Sequence, residues 1–209
     1  MTSVITGDII NSREAASPVQ WLSTLKESLS LVSAAPKYWE VFRGDSFQVE
    51  VQDYYNAFQA AVYIKASLKT IKDLDVRMAI GIGSKTHEAS TISESNGEAF
   101  IFSGELFETL KKEKKNLAIK TGVHRIDEEL NLYFKLGLIA MDNWTPNSAE
   151  IVKLTIENPK LSQQEVGKLI NIKQNTVSER QKRAYLDEVM ALDRMYRHKI
   201  DHIEHAPAR

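Results

Sequence analysis

Hydrophobic residues recur along the first two thirds of the chain with two different periods, and the switches between them predict an order of elements. Short β-branched runs predict strands, whereas apolar residues three and four apart predict helices. The predicted strands are 3–10, 38–42, 46–51, 76–82 and 117–121, and the predicted helices are 18–34, 54–71, 98–110 and 126–141. The order β-α-β-β-α-β, followed by further elements, predicts an α+β fold of the ferredoxin-like type.

Two aspartates are expected to meet at one rim of this sheet. In a ferredoxin-like sheet the first and third strands are antiparallel neighbours, so Asp8 and Asp45 lie side by side. Gly7 and Gly44 precede them and leave the backbone open to a ligand. Paired carboxylates can hold Mg²⁺ and share it with the phosphates of a nucleotide. The alternative is structural: Asp8 ends a strand and Asp45 belongs to a turn.

The pattern changes at residues 143–148, which we interpret as a linker. Pro146 disfavours helix in the residue before it, and Asn147 or Ser148 can cap a helix that follows. The later residues have a helical pattern throughout. The predicted division is 1–142 for the ferredoxin-like domain, 143–148 for the linker, 149–203 for a small all-helical domain and 204–209 for a tail.

Within the second domain, the spacing of polar and apolar residues predicts a helix-turn-helix. Ser162 and Glu165 form a capping box, Asn171 tolerates the left-handed conformation of a tight turn, and Val177 points to the core from the second helix. That second helix exposes side chains of the types that contact base edges and phosphates. The candidate DNA-binding residues are Lys173, Gln174, Asn175, Thr176, Ser178, Glu179, Arg180, Lys182 and Arg183. The alternative is an ordinary helical bundle whose polar helix is merely solvated.

A single module of this size binds DNA weakly, so a homodimer is expected for a specific site. The helix predicted over 184–200 could pair with its copy or pack back on the first domain. The net charge of the whole chain is −1, but residues 145–209 hold eleven basic and nine acidic residues. This part is therefore where a polyanion would prefer to bind.

Length and composition limit the class of protein. The 209 residues suit one large or two unequal domains, and 43% hydrophobic with 26% charged residues exclude a disordered or collagen-like chain. No apolar stretch approaches the ~18–20 residues that cross a bilayer, and the first residues lack a signal-peptide pattern. The chain has no cysteine, which excludes disulfides and thiolate zinc sites. We therefore expect a cytoplasmic protein without a membrane partner.

Four motifs in order resemble the SatD family of bacterial proteins. They run from Ile5 to Arg13, Arg43 to Gln48, Arg77 to Gly83 and Asn96 to Phe100. The resemblance spans essentially the whole chain, including the C-terminal helix-turn-helix that many members carry. It implies an architecture more than a reaction.

The N-terminal part also resembles, more distantly, the class III nucleotidyl cyclase fold. This resemblance implies that Asp8 and Asp45 are metal ligands. It also implies that Glu94, three residues before Gly97, contacts the base of a nucleotide.

Three residues depart from the cyclase pattern. Ile101 and Glu105 replace the Asn and Arg of the cyclases, and Val41 replaces their base-reading Lys. An acidic residue opposes the stabilisation that the Arg gives to the transferring phosphate. We therefore predict nucleotide binding with little or no cyclase turnover.

The leading hypothesis is a DNA-binding transcriptional regulator whose N-terminal domain senses a nucleotide or similar small molecule with Mg²⁺. A ligand that prefers one arrangement of the domains would change how the recognition helices are presented. Two alternatives stay open. One is a metal-dependent nucleotidyl- or phosphotransferase that uses Asp8 and Asp45, and the other is a non-catalytic protein-interaction module.

Overall fold

The computed structural model describes residues 1–14 and 17–203, which form an α+β structure with a five-stranded mixed sheet and eight α-helices. The strands are β1 (Thr2–Ile10), β2 (Trp39–Phe42), β3 (Ser46–Val51), β4 (Asp75–Gly83) and β5 (Leu117–Lys120). The helices are α1 (Pro18–Val32), α2 (Ala57–Lys69), α3 (Glu98–Glu113), α4 (His124–Met141), α5 (Pro146–Glu157), α6 (Gln163–Leu169), α7 (Gln174–Arg183) and α8 (Leu186–Asp201). The predicted tail, 204–209, lies outside the described residues. In the part of the chain that is described, no helix combines the length and apolarity that crossing a bilayer requires.

The strands lie in the order β2-β3-β1-β4-β5. β1 is antiparallel to both β3 and β4, whereas β5 runs parallel to β4. The predicted pairing of the first and third strands is confirmed, because Asp8 lies opposite Ser46 in the register. The ends of the predicted elements shift by a few residues. For example, Pro36–Tyr38 form a 3-10 turn, so β2 begins one residue later than expected.

The two faces of the sheet are covered by different helices. Ile5 and Phe47 point to the main core, which α1 and α2 cover, whereas Thr6 lies on the opposite face with α3. There the Thr6 Oγ1 hydroxyl donates a hydrogen bond to Ser103 Oγ at 3.0 Å. Gly81 permits this packing, because a Cβ at that position would lie 2.2 Å from the carbonyl oxygen of Ala99. α3 covers β1, β4 and β5, which leaves part of the β2–β3 side of this face open.

The main core continues into the last helix. The rings of Phe58 and Phe134 stack with centroids 4.7 Å apart. Tyr196 of α8 lies 5.9 Å from the first ring and 6.3 Å from the second. Its hydroxyl donates to the carbonyl of Tyr54 at 2.6 Å. The predicted all-helical domain thus contributes a fully buried side chain to the core of the sheet domain.

Residues 143–148, predicted to be a linker, form a packed turn and the start of a helix. Trp144 is 4% exposed, and its indole Nε1 donates to the carbonyl of Ala184 at 2.7 Å. Thr145 caps α5 by accepting from the backbone N–H of Ser148 at 3.3 Å. The proline that suggested a break instead occupies the first position of α5, where its missing N–H costs nothing.

A second, smaller core holds α5, α6 and α7 together. Ile151, Val166 and Val177 are buried in it, and three partly buried residues, Leu154, Ile170 and Ile172, pack around them. α5 also packs on α2. This helix therefore connects the small core to the body of the protein.

Candidate functional site

The short connection between α6 and α7 forms as the sequence predicts. Ser162 and Glu165 make a reciprocal capping box: the Ser162 backbone N–H donates to Glu165 Oε2 at 2.8 Å, and the Glu165 N–H donates to Ser162 Oγ at 3.3 Å. Asn171 has a φ of 55°, the left-handed conformation expected of it. Ile172 N–H then donates to the carbonyl of Gly167 at 2.9 Å, which closes the turn.

Gly167 allows the two helices to approach each other. A Cβ at this position would lie 2.6 Å from the carbonyl oxygen of Ile172 and 3.3 Å from Val177 Cγ2. Val177 is fully buried and is the only buried residue of α7. The remaining side chains of α7 are thereby directed away from the small core or along its edge.

The outer side of α7 carries polar side chains, most of which have no partner among the described residues. The exposed candidates are Lys173, Gln174, Asn175, Glu179, Lys182 and Arg183, and the half-buried ones are Thr176 and Ser178. Arg183 is paired with Glu179 at 3.7 Å, one turn away on the same helix. We find no side-chain hydrogen bond or ion pair from Lys173, Gln174 or Lys182 to any other described residue. The surface is therefore free to make such bonds to a ligand.

The prediction that Arg180 contacts DNA needs a correction, because the structure does not place this residue on the outer surface of α7. Its Nη1 donates to Glu150 Oε2 of α5 at 2.8 Å, and only 18% of its side chain is exposed. The physical reason is its position three residues after Val177, on the inner side of α7. Arg180 therefore joins α7 to α5, and we leave it out of the proposed phosphate contacts.

Asp8 and Asp45 do come together at one rim of the sheet. The backbone N–H of Ile9 donates to the carbonyl of Asp45 at 3.1 Å, which fixes the β2–β3 turn against the end of β1. Ser12 Oγ donates to Asp45 Oδ2 at 2.7 Å. Arg77, opposite Asp8 on β4, places Nη1 3.3 Å from Asp8 Oδ2. The rim thus combines two carboxylates with one guanidinium.

The electrostatics of Asp8 reflect this crowding. Burial raises its pKa, the Arg77 guanidinium opposes the rise, and the negative charge of Asp45 adds to it. A divalent cation shared by the two carboxylates would favour their ionised forms. In the described part of the chain, no group of three or more His, Cys, Asp or Glu side chains could hold a metal. Mg²⁺ at this rim would therefore need further oxygens, and the phosphates of a nucleotide supply oxygens of the required kind.

The two glycines beside the aspartates differ from each other. Gly44 has a φ of +91° and no atom within 4 Å of a Cβ built on it, so the turn is open as expected. Gly7 faces the main core, and a Cβ there would lie 2.6 Å from Cζ of Phe47. The space assigned to a ligand at Gly7 is thus filled by Phe47. The missing side chain of Gly7 serves the packing of the core, because β1 places this residue on the face of the sheet opposite to Asp8.

Glu94 lies near the start of β1, whereas the acid pair lies at the end of that strand. It is exposed in the 3-10 turn Ile92–Glu94, where Ser90 Oγ donates to its Oε2 at 3.3 Å. Ile92 packs with Val4, four residues before Asp8 on β1, which corresponds to about 13 Å at ~3.3 Å per residue. A nucleotide contact to Glu94 and the acid pair together therefore requires an extended ligand.

The sequence analysis missed two polar residues on the face that carries Asp8. Val41 packs against the main core, so its neighbour Glu40 lies on the other face, opposite Gln48 in the register. Gln48 Nε2 donates to Thr6 Oγ1 at 3.2 Å, and Glu40 Oε2 has no hydrogen-bond partner among the described residues. The period of two along β2 could have identified Glu40.

Ile101 and Glu105 are the two departures that the sequence analysis expected to prevent cyclase turnover. Ile101 is 48% exposed on α3. Glu105 accepts a hydrogen bond from Lys120 Nζ of β5 at 2.7 Å. Neither side chain can donate a hydrogen bond to a transferring phosphate at neutral pH.

Comparisons with protein-family models, with curated proteins and with solved structures gave no significant match.

Proposed function

We propose that this protein is a DNA-binding regulator in which α5, α6 and α7 form a helix-turn-helix and α7 enters the major groove of double-stranded DNA. The observation that carries the proposal is the outer side of α7, where polar and basic side chains, most of them without partners among the described residues, follow the tight turn at Asn171. The sequence motifs resemble the SatD family, many of whose members carry a helix-turn-helix, and a location in the cytoplasm is part of the same proposal.

The residues of α7 divide by position into two roles. Gln174 and Asn175 are at the N-terminal end, which reaches base edges in this type of docking. Amide side chains can pair with adenine. Lys182 and Arg183 are at the C-terminal end, and Lys173 directly precedes the helix, where phosphates would lie. Glu179 can hold Arg183 in place or accept from cytosine.

Titrations at several salt concentrations test this division. Lys182→Ala with Arg183→Ala should weaken binding to all sequences and reduce the log–log salt slope by roughly 0.9 per lost phosphate contact. Gln174→Ala should instead cost ~1–3 kcal/mol at the preferred site and relax its sequence preference. Lys26→Ala with Lys72→Ala is the matched control, because it removes two exposed charges away from α7. Equal losses in the control and the α7 variant would contradict the proposal and favour a protein-interaction module.

We also propose that the N-terminal part is a ferredoxin-like domain that binds a nucleotide with Mg²⁺ at the rim of Asp8 and Asp45. The strand order β2-β3-β1-β4 with antiparallel pairs supports that arrangement. The specific observation is the acid pair itself, fixed by the Ile9–Asp45 backbone bond. Arg77 is placed to contact phosphate oxygens beside the cation. A nucleotidyl- or phosphotransferase at the same rim is the alternative.

Calorimetric titration with ATP and GTP, each with and without Mg²⁺, tests the second proposal. Binding should require the cation and should be lost in Asp45→Asn. Asp53→Asn is a control at another turn of the sheet domain. A parallel assay for cyclic products with Mn²⁺ should show no turnover, because Ile101 and Glu105 cannot stabilise the transferring phosphate. Cyclic product that Asp45→Asn abolishes would establish the enzyme instead.

A further inference from the structure

α4 and α8 pack side by side in antiparallel directions. Near one end Lys199 and Glu129 form an ion pair. In the middle Gly137 contacts Leu192, where a Cβ on the glycine would lie 2.8 Å from Leu192 Cδ2. The inner sides of both helices are buried in the main core, through residues such as Phe134 and Tyr196. The sequence alone left open whether α8 packs back or pairs with a copy, and its inner side packs back.

The outer sides of the same two helices are unexpectedly apolar. On α4 the exposed fractions are 54% for Leu132, 56% for Leu136 and 69% for Ile139. These residues are four and three apart, so they form one stripe. On α8 Met195 is 42% exposed, and Tyr185, which directly precedes this helix, is 54% exposed. Large contiguous apolar surfaces of this kind mark interaction sites on soluble proteins.

Between these two rows lies a groove of about 820 Å³. Small residues from both helices line it, including Gly137, Ala140 and Ala191, while Leu136, Ile139 and Met195 also line it with large side chains. Both helices therefore contribute large and small side chains to the groove. Around a two-fold axis, large side chains of one copy can lie over small ones of the other.

The charges around the groove point to the same occupant. The charged residues that line it are Arg183 and Glu188, one basic and one acidic. They leave the lining of the groove without net charge. Nucleic acid would select a basic border, whereas an identical copy needs both signs so that like charges need not meet. We infer that this groove is the interface at which two copies of the chain form a symmetric dimer.

This inference rests on the proposed function for its consequence. Arg183 is the last residue of α7 and also lines the groove. Pairing at the groove would fix the separation of the two α7 helices, as the reading of two DNA half-sites requires. Self-association itself can be measured without DNA, so the failure of one proposal is distinguishable from the failure of the other.

Sedimentation velocity over a concentration series gives the first test. The wild type should sediment as a dimer, and Ile139→Glu should convert it to a monomer, because the new charge would be buried in the interface. Val19→Glu is the matched control, since Val19 is 78% exposed on α1 and should leave the dimer intact. Met195→Lys, on the other wall, should act like Ile139→Glu. Circular dichroism shows whether each variant is folded.

The absence of cysteine from the chain permits a second readout. Ile139→Cys should give covalent dimers with a short bis-maleimide, whereas Val19→Cys should not. A wild type that is monomeric throughout the concentration series would overturn the inference. A dimer that tolerates both Ile139→Glu and Met195→Lys would overturn it as well. A groove dimer that does not bind DNA would support the inference and contradict the proposed function.

Discussion

The main core and the small core of α5, α6 and α7 differ in how far apart in sequence their members are. The main core brings together Phe58, Phe134 and Tyr196, which come from the beginning, middle and end of the fold. The small core gathers residues of three successive helices, all between Ile151 and Val177. The main core therefore depends on contacts between remote segments, whereas the small core depends on contacts within one short segment. We therefore expect α6 and α7, which carry the proposed DNA surface, to open separately from the body.

The largest effect should follow a change in the main core. Phe58→Ala should lower the free energy of unfolding by ~3–5 kcal/mol, because it leaves a cavity beside Phe134 and Tyr196. The loss should extend to α8, since that helix packs on the same rings. Urea unfolding followed by circular dichroism and by tryptophan fluorescence measures it. Leu31→Ala is the control, with 66% exposure and an expected change below ~0.5 kcal/mol.

A smaller effect is expected in the small core. Gly167→Ala should destabilise the α6–α7 pair by ~1–3 kcal/mol, because the added Cβ meets the carbonyl of Ile172. Hydrogen exchange should show faster exchange in α6 and α7 and little change in the sheet. Gly104→Ala is a suitable control, because no atom lies within 4 Å of its Cβ position. An equal acceleration in β1 and β4 would show that the two cores open together.

The hydrogen bond that holds the end of α7 to the main core should contribute less to stability. Trp144→Phe removes the hydrogen bond to Ala184 together with part of the buried indole ring, and the hydrogen bond accounts for ~0.5–1.5 kcal/mol of the loss. Because Ala184 directly follows α7, exchange at the end of that helix should rise most. Trp21→Phe is the comparison, since the Trp21 indole N–H has no partner among the described residues. A larger loss in Trp21→Phe than in Trp144→Phe would contradict this assignment.

Mild acid should change the stability of the two regions in opposite directions. Burial raises the pKa of Asp8, so its charge opposes folding at neutral pH, and that opposition disappears as the pH falls through the raised pKa. Hydrogen bonds from Ser162 lower the pKa of Glu165, so its contribution is complete above the ordinary value of 4.5 and is lost as the pH falls through the lowered pKa. Acid should therefore favour the rim of the sheet and loosen the start of α6.

Amide exchange at several pH values, corrected for the intrinsic rate, measures both trends. Asp8→Asn should remove the first and Glu165→Gln the second. Acid loosening of α6 that persists in Glu165→Gln would assign it to another group.

The order of elements and the α6–α7 turn could be predicted, because each depends on residues near one another in sequence. The capping box of Ser162 and Glu165 spans four residues, and Asn171 marks its own turn. The proximity of Asp8 and Asp45 could be predicted only from a sheet topology, and the β-α-β-β order of elements was sufficient to indicate that topology.

Other features could not be read in this way, because their partners are remote. The burial of Trp144 depends on Ala184, which lies 40 residues later. Gly7 looks free for a ligand until Phe47 is placed over it by the β1–β3 register. The pairing of Arg180 with Glu150 depends on how α7 crosses α5, and neither residue type indicates it.

The hydrogen bond between Tyr196 and Tyr54 has a consequence for the biosynthesis of the chain. The two residues are 142 positions apart. At roughly 5–20 residues per second, about 7 to 28 seconds of translation separate them. In the later part of that interval, once Phe134 has been made, the rings of Phe58 and Phe134 lack the side chain that finally covers them. The nascent chain thus exposes an aromatic surface until α8 has been made, and this is the period in which a chaperone would be of most use to it.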